Sequence, residues 1–148
     1  MTRKALLVLA VSSFYGILTA PLGAQSQRPV GRFDVPFEFS VNGKTLPAGK
    51  YTVGVDAVDG AVQIQSDGNA DGKRKSLLAM TLPAGNAAGD QPKLTFHRYG
   101  NQYFLARISP AAGFPIRGLS VTPAEREVAR SASAALQTVT LAALLPAR

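Results

Sequence analysis

The sequence predicts a mainly β protein, a small antiparallel β-barrel or β-sandwich of about seven short strands with one short helix near the C-terminus. Three observations predict it. Apolar side chains take alternate positions at Phe33, Val35, Phe37, Phe39 and Val41, with Asp34, Pro36, Glu38 and Ser40 between them, as in a strand with one buried face. Turn signals at Asn42-Gly43, Asp59-Gly60 and Gly100-Asn101 fall where the flanking apolar positions come into register. Thr122-Pro123-Ala124-Glu125 then joins a capping hydroxyl, proline at the first helical position and glutamate at the third.

The chain begins with a segment that does not belong to that domain. Arg3 and Lys4 precede an uncharged run from Ala5 to Leu18, and Leu22-Gly23-Ala24 places small residues before Gln25. This is the order of a secretory signal peptide, with residues 1–24 removed between Ala24 and Gln25. The run is too short for the roughly 20 residues that cross a bilayer. The expected product is periplasmic or secreted, and not an integral membrane protein after cleavage. Residues 25–31 read as a flexible mature N-terminus and 32–148 as a single β-rich domain. A chain of that size supports its own core.

The first strand runs from Phe33 to Val41, and the two-residue turn Asn42-Gly43 sets Leu46 opposite Phe39. Pro36 on its polar face removes a backbone donor, which suits an edge or a bulge. Pro47 and Gly49 fit a type I turn, after which Tyr51, Val53, Val55 and Ala57 share one face. Across Asp59-Gly60, Ala57 is set against Val62 and Val55 against Ile64. Ser76 to Leu82 is apolar on both faces through Leu77, Leu78, Ala79 and Met80, as expected of a central strand. Pro83 to Pro92 reads as a loop rich in Gly, Ala and Asn.

Lys93–Tyr99 and Gln102–Ile108 form the next hairpin, pairing Phe96 with Leu105, His97 with Phe104 and Arg98 with Tyr103. In the helix that follows, Val128, Ala132 and Leu136 share a face at four-residue steps. Thr138-Val139-Thr140-Leu141 returns to β-branched alternation and reads as a last strand, with a helical continuation through 137–145 as the alternative.

Composition excludes more than it assigns. The sequence has no cysteine, which removes disulfides and thiolate chemistry. Without residues 1–24 the chain keeps 14 Lys and Arg against 9 Asp and Glu, a net charge of +5. A basic excess suits an anionic envelope polymer or another envelope protein as partner. Nucleic acid is not expected, because Lys73-Arg74-Lys75 lacks the aromatic platforms of a single-strand binder. The nine aromatics that follow residue 24 and the short strands do not make an outer-membrane barrel with aromatic girdles.

Asp67, Asn69 and Asp71 with Gly72 match the first half of a calcium loop. The second half fails, since Leu78 stands where a bidentate Glu belongs and Lys73, Arg74 and Lys75 would repel the ion. A solvated turn accounts for the same residues, and no cofactor is expected. His97 is the sole histidine, so no histidine pair can hold a metal. Asp34, Glu38 and Asp56 are the few carboxylates placed on strands for acid–base work, and no nucleophile-elbow or phosphate-binding loop is present. His97, Arg98, Tyr99 and Tyr103 remain as candidate ligand-binding residues, able to grip an anion or a sugar if the sheet presents them in a concavity.

Val35-Pro36-Phe37-Glu38-Phe39, Leu46-Pro47-Ala48-Gly49-Lys50-Tyr51-Thr52-Val53 and Phe96-His97-Arg98-Tyr99-Gly100-Asn101-Gln102-Tyr103-Phe104-Leu105 resemble segments of short exported bacterial β-domain proteins with no assigned activity. The Leu-Pro-x-Gly-x-Tyr-x-Val piece alone is also similar to prealbumin-type, immunoglobulin-like surface modules. The resemblance implies an exported β-domain and carries no activity with it. Together these readings lead to an exported non-catalytic binding or structural module, with a small-ligand carrier holding its cargo inside a β-barrel as the alternative and a hydrolase third.

Overall fold

Pro36 divides what the sequence presents as one strand. In the computed structural model, which describes residues 27–56, 59–68, 72–132 and 135–144, β1 (Gln27–Val35) and β2 (Phe39–Val41) lie in different sheets. Proline has no N–H to continue a ladder, so the chain leaves the first sheet there and starts again in the second. The alternation is unbroken because both strands point their apolar sides into the same interior. Phe33 and Val35 reach it from one side and Phe39 and Val41 from the other, each at most 2% exposed.

The return crossing comes directly after the next hairpin. Asn42 (φ 48°) and Gly43 (φ 78°) make the expected two-residue turn, and β2 pairs with β3 (Lys44–Leu46) so that Phe39 faces Leu46. Pro47 and Ala48 then lead back into β4 (Gly49–Asp56). The Tyr51 hydroxyl donates to the Pro47 carbonyl at 2.5 Å and pins this link.

The first sheet has the order β1-β4-β5-β6, all antiparallel, with β5 at Val62–Ser66 and β6 at Ser76–Ala79. Three expectations change here. Strand β1 starts at Gln27, paired with Asp56, so residues 27–31 are part of the sheet rather than a flexible lead. Val55 pairs with Val62 and Val53 with Ile64, two residues from the expected register, because the connection spans Asp56 to Ala61. The shift is even, so the buried face is unchanged. Ala57 lies outside the described residues. Finally, β6 is an edge strand, not a central one, and Leu78 and Met80 stand 62% and 63% exposed. Two-faced apolarity suggested burial, but only the Leu77 and Ala79 side is covered.

The second sheet has the order β11-β8-β9-β10-β7 and carries β2 and β3 beside β9 through a parallel Ser40–Phe104 bridge. Its strands are β7 (Leu82–Asn86), β8 (Lys93–Tyr99), β9 (Gln102–Ser109), β10 (Pro115–Gly118) and β11 (Gln137–Ala142). Residues 82–86, expected within a strand end and a loop, pair with β10. The β8–β9 hairpin has the expected register at Phe96–Leu105, His97–Phe104 and Arg98–Tyr103. A bulge follows between Thr95 and Phe96. Residues 137–142 form the strand, which closes the helical alternative over that span.

The sheets do not close into a barrel, so a sandwich fits better than a barrel. Between them, Phe33, Tyr51, Val53 and Ile64 from one sheet meet Phe39, Leu94, Phe96 and Ile108 from the other. Burial of each large side chain contributes about 1.5–3 kcal/mol. The β1 edge is met by residues 143–144, where Leu144 N–H donates to the Arg32 carbonyl at 2.7 Å. Gly31 permits the approach, since a Cβ there would lie 3.0 Å from the Ala143 Cβ. Among the described residues no helix is long and apolar enough to cross a membrane.

Candidate functional site

Alternation along β8 decides where its polar residues go. His97 and Tyr99 leave the sheet on the outer face, while Phe96 and Arg98 leave it on the side of the core. The four candidate residues of the hairpin therefore form two groups rather than one patch.

On the inner side Arg98 lies over the Tyr103 ring, 5.4 Å from its centroid, and its Nε–H donates to the Gly100 carbonyl at 2.8 Å. Tyr103 stacks on Phe37 at 3.8 Å and 11°, and Phe37 meets Phe96 edge-on at 5.2 Å. This column caps one end of the core. Phe37, placed by sequence alternation among the buried residues, is partly exposed at its top because it lies in the 36–38 link between the sheets. Asp34 and Glu38, read on one strand, are separated by the same break and are both exposed.

On the outer side stands helix α1 (Pro123–Ser131). Its start is as expected: Thr122 is the N-cap, its Oγ1 accepts from the Glu125 N–H at 3.2 Å, and Pro123 opens the first turn. The helix ends at Ser131, so Leu136 is beyond it and 53% exposed rather than on its packed face.

The Glu125 side chain does not turn back to the cap. It points at the sheet, only 4% exposed, and accepts from His97 Nδ1–H at 2.7 Å. An ionised carboxylate only accepts, so the imidazole proton sits on Nδ1. The Tyr99 hydroxyl donates to the same Oε1 at a longer 3.5 Å. Burial, then the Glu125 charge, then this hydrogen bond raise the Tyr99 pKa above its ordinary 10.0. Phe104, cross-strand from His97 and 6% exposed, lies 6.0 Å from the Tyr99 ring.

A carboxylate that orients an imidazole is half of a nucleophilic relay, and the other half is a hydroxyl bonded to that ring. Among the described residues no hydroxyl bonds to His97. What the pair does mechanically is tie α1 to β8. Glu125 was legible in the sequence only as a capping glutamate. The signal for its other role was the outward parity of His97 and Tyr99 on a hairpin whose outer face also holds Phe104 on β9.

The calcium-loop residues are placed only in part. Asp67 accepts from Thr52 Oγ1 at 2.9 Å and lies 3.6 Å from Arg32 Nε, so its carboxylate is held by the first sheet. Asn69 and Asp71 lie outside the described residues, as do Ala24 and Gln25 at the expected cleavage point. Among the described residues no three His, Cys, Asp or Glu side chains converge as a metal site.

Comparison with protein-family models, with curated proteins and with solved structures gives no match to this chain.

Proposed function

We propose that this chain is an exported, non-catalytic β-module of the bacterial envelope or extracellular space that acts by binding. The observation that carries the reading is the use of the His97–Glu125 pair. This is the chain's one histidine, and its ring is joined to a buried helix carboxylate that ties two elements together. Among the described residues no hydroxyl bonds to the ring, and without that nucleophile the pair serves as a tie between two elements rather than as a relay.

The net charge of +5 after residue 24 supports an anionic partner, an envelope polymer or an envelope protein. A carrier role would have to use a surface cleft, since the side chains between the sheets fill the space an internal cargo would need.

Expression in a bacterial host with fractionation and N-terminal sequencing tests export. The expected product is extracytoplasmic and begins at Gln25, and a cytoplasmic full-length chain overturns that half. Assay of the purified domain against ester, peptide and glycoside substrates tests the other half. A hydrolysis that His97→Asn abolishes while the domain stays folded would make the protein an enzyme.

A further inference from the structure

Among the described residues Arg117 has no ion-pair partner. It lies on β10, half-buried, and its Nε is fully shielded from solvent with no hydrogen-bond acceptor. Its guanidinium rests against Gly60, where a Cβ would come within 2.5 Å of Nη1. The ion pairs among the described residues are Arg32–Asp67, His97–Glu125 and Arg130–Glu127, so Arg117 is in none of them. A shielded donor left unmade costs about 1–3 kcal/mol, and more on a charged group. Nε itself is out of a ligand's reach, so an acceptor from outside would meet the N–H groups of the two terminal nitrogens.

The same side chain lines a cleft of about 160 Å³ at the end of the sandwich, between β1, the end of β4 and the 110–115 connection. Val30, Pro115 and Phe114 make it mostly apolar. Arg28 also lines the cleft, with its guanidinium 5.5 Å from the Phe114 ring centroid, and it too is in no ion pair among the described residues. Asp56 is the one carboxylate in the lining, and its Oδ1 already accepts from the Asp59 N–H at 3.3 Å. Two guanidiniums against one carboxylate leave the cleft with one net positive charge.

We propose that this cleft is a binding site for a small aromatic monocarboxylate, with the carboxylate held by Arg117 and Arg28 and the ring against Phe114 and Val30. Size agrees with the charge: a cavity of about 150 Å³ is large enough to hold a benzene ring. Guanidinium is suited to the head group, because its planar donor fork matches the two oxygens of a carboxylate. An apolar body buries surface that the cleft walls otherwise expose. The site deepens the binding-module reading and rests on it, yet shares no residue with His97, Glu125 or the export segment.

Benzoate is the probe, titrated into the ¹⁵N-labelled domain and followed by NMR, beside benzyl alcohol as the uncharged ring and acetate as the bare anion. Benzoate is expected to give saturable shifts at the amides of Arg117, Phe114 and Val30. Benzyl alcohol and acetate should each bind at least about tenfold more weakly, the equivalent of one charge-assisted bond or the ring contacts. Arg117→Gln and Arg28→Gln should each weaken benzoate by about 3- to 10-fold or more, while Arg130→Gln on α1 should leave it unchanged.

Equal affinity for benzoate and benzyl alcohol overturns the proposal, as do undiminished benzoate affinity in the two cleft variants and an absence of cleft shifts at about 10 mM benzoate. Should Arg117→Gln fail to fold, Arg28→Gln and the benzyl alcohol comparison decide. None of these results alters export or the hydrolysis assays, so the site and the general reading fail separately.

Discussion

His97 on β8 and Glu125 on α1, 28 residues apart in the chain, meet through a 2.7 Å hydrogen bond that fastens the only helix found among the described residues to the outer face of a sheet. The bond is partly sheltered: the Glu125 side chain is 6% exposed and the His97 side chain 29%. Removing either partner leaves the other with an unmade bond, and for Glu125 that group is a buried charge.

Glu125→Ala is therefore expected to cost about 1–3 kcal/mol in urea unfolding, and His97→Ala a similar amount. In a double-mutant cycle the two should couple by about 1 kcal/mol or more. Strict additivity would show that the bond does not hold the helix.

Tyr99 and Tyr51 both have pKa values raised above 10.0, each first by burial, with the Glu125 charge and hydrogen bond adding to the rise at Tyr99. A phenol whose folded pKa is raised contributes stability fully below the unfolded value near 10. That contribution is lost as pH rises through the folded pKa. Unfolding free energy should accordingly fall above about pH 10. Tyr99→Phe should flatten part of the fall, and Glu125→Gln should move the Tyr99 titration, followed by ultraviolet absorbance, back toward 10.0.

Gly31 packs closely on Ala143, a Cβ there falling 3.0 Å from the Ala143 Cβ. Gly31→Val should destabilise the domain by about 1–3 kcal/mol through overpacking. Adding Ala143→Gly should restore part of the loss. An equal cost in both backgrounds would place the strain elsewhere.

Phe96 is fully buried, whereas Phe37, stacked on Tyr103, sits at the rim of the core. Phe96→Ala should cost about 3–5 kcal/mol. Phe37→Ala should cost clearly less, about 1–2 kcal/mol, most of it from the lost ring contacts. Thermal unfolding of the two variants ranks them directly.

Leu78, Met80 and Leu82 are each more than 60% exposed, the first of them on the β6 edge. Leu78→Lys and Met80→Lys should change stability by no more than about 0.5 kcal/mol. Light scattering of concentrated protein should show less self-association in the variants, because a charged edge resists strand addition.

Local pattern was enough for the hairpins. Asn42-Gly43 and Gly100-Asn101 each join strands adjacent in sequence, so turn chemistry and side-chain parity set Phe39 against Leu46 and Phe96 against Leu105. The helix start at Thr122 was equally legible, since a cap is satisfied within one turn. Asp59-Gly60 misled by two residues because parity repeats every second position and cannot distinguish a tight turn from a wider one.

The sequence by itself determined the class of fold, the buried parity of β4, β5 and β8 and both ends of the β8–β9 hairpin, all of which depend on neighbours in the chain. Only the tertiary structure decided that Phe33–Val41 is two strands in two sheets, that β6 is an edge, and that Glu125 belongs with His97 and Tyr99 while Arg98 belongs with Tyr103. The physical reason is that alternation records which side of a strand is dry, not which surface dries it. A break at Pro36 that carries the chain across the core leaves the alternation intact, and a carboxylate 28 residues away leaves no periodic trace at the histidine it holds.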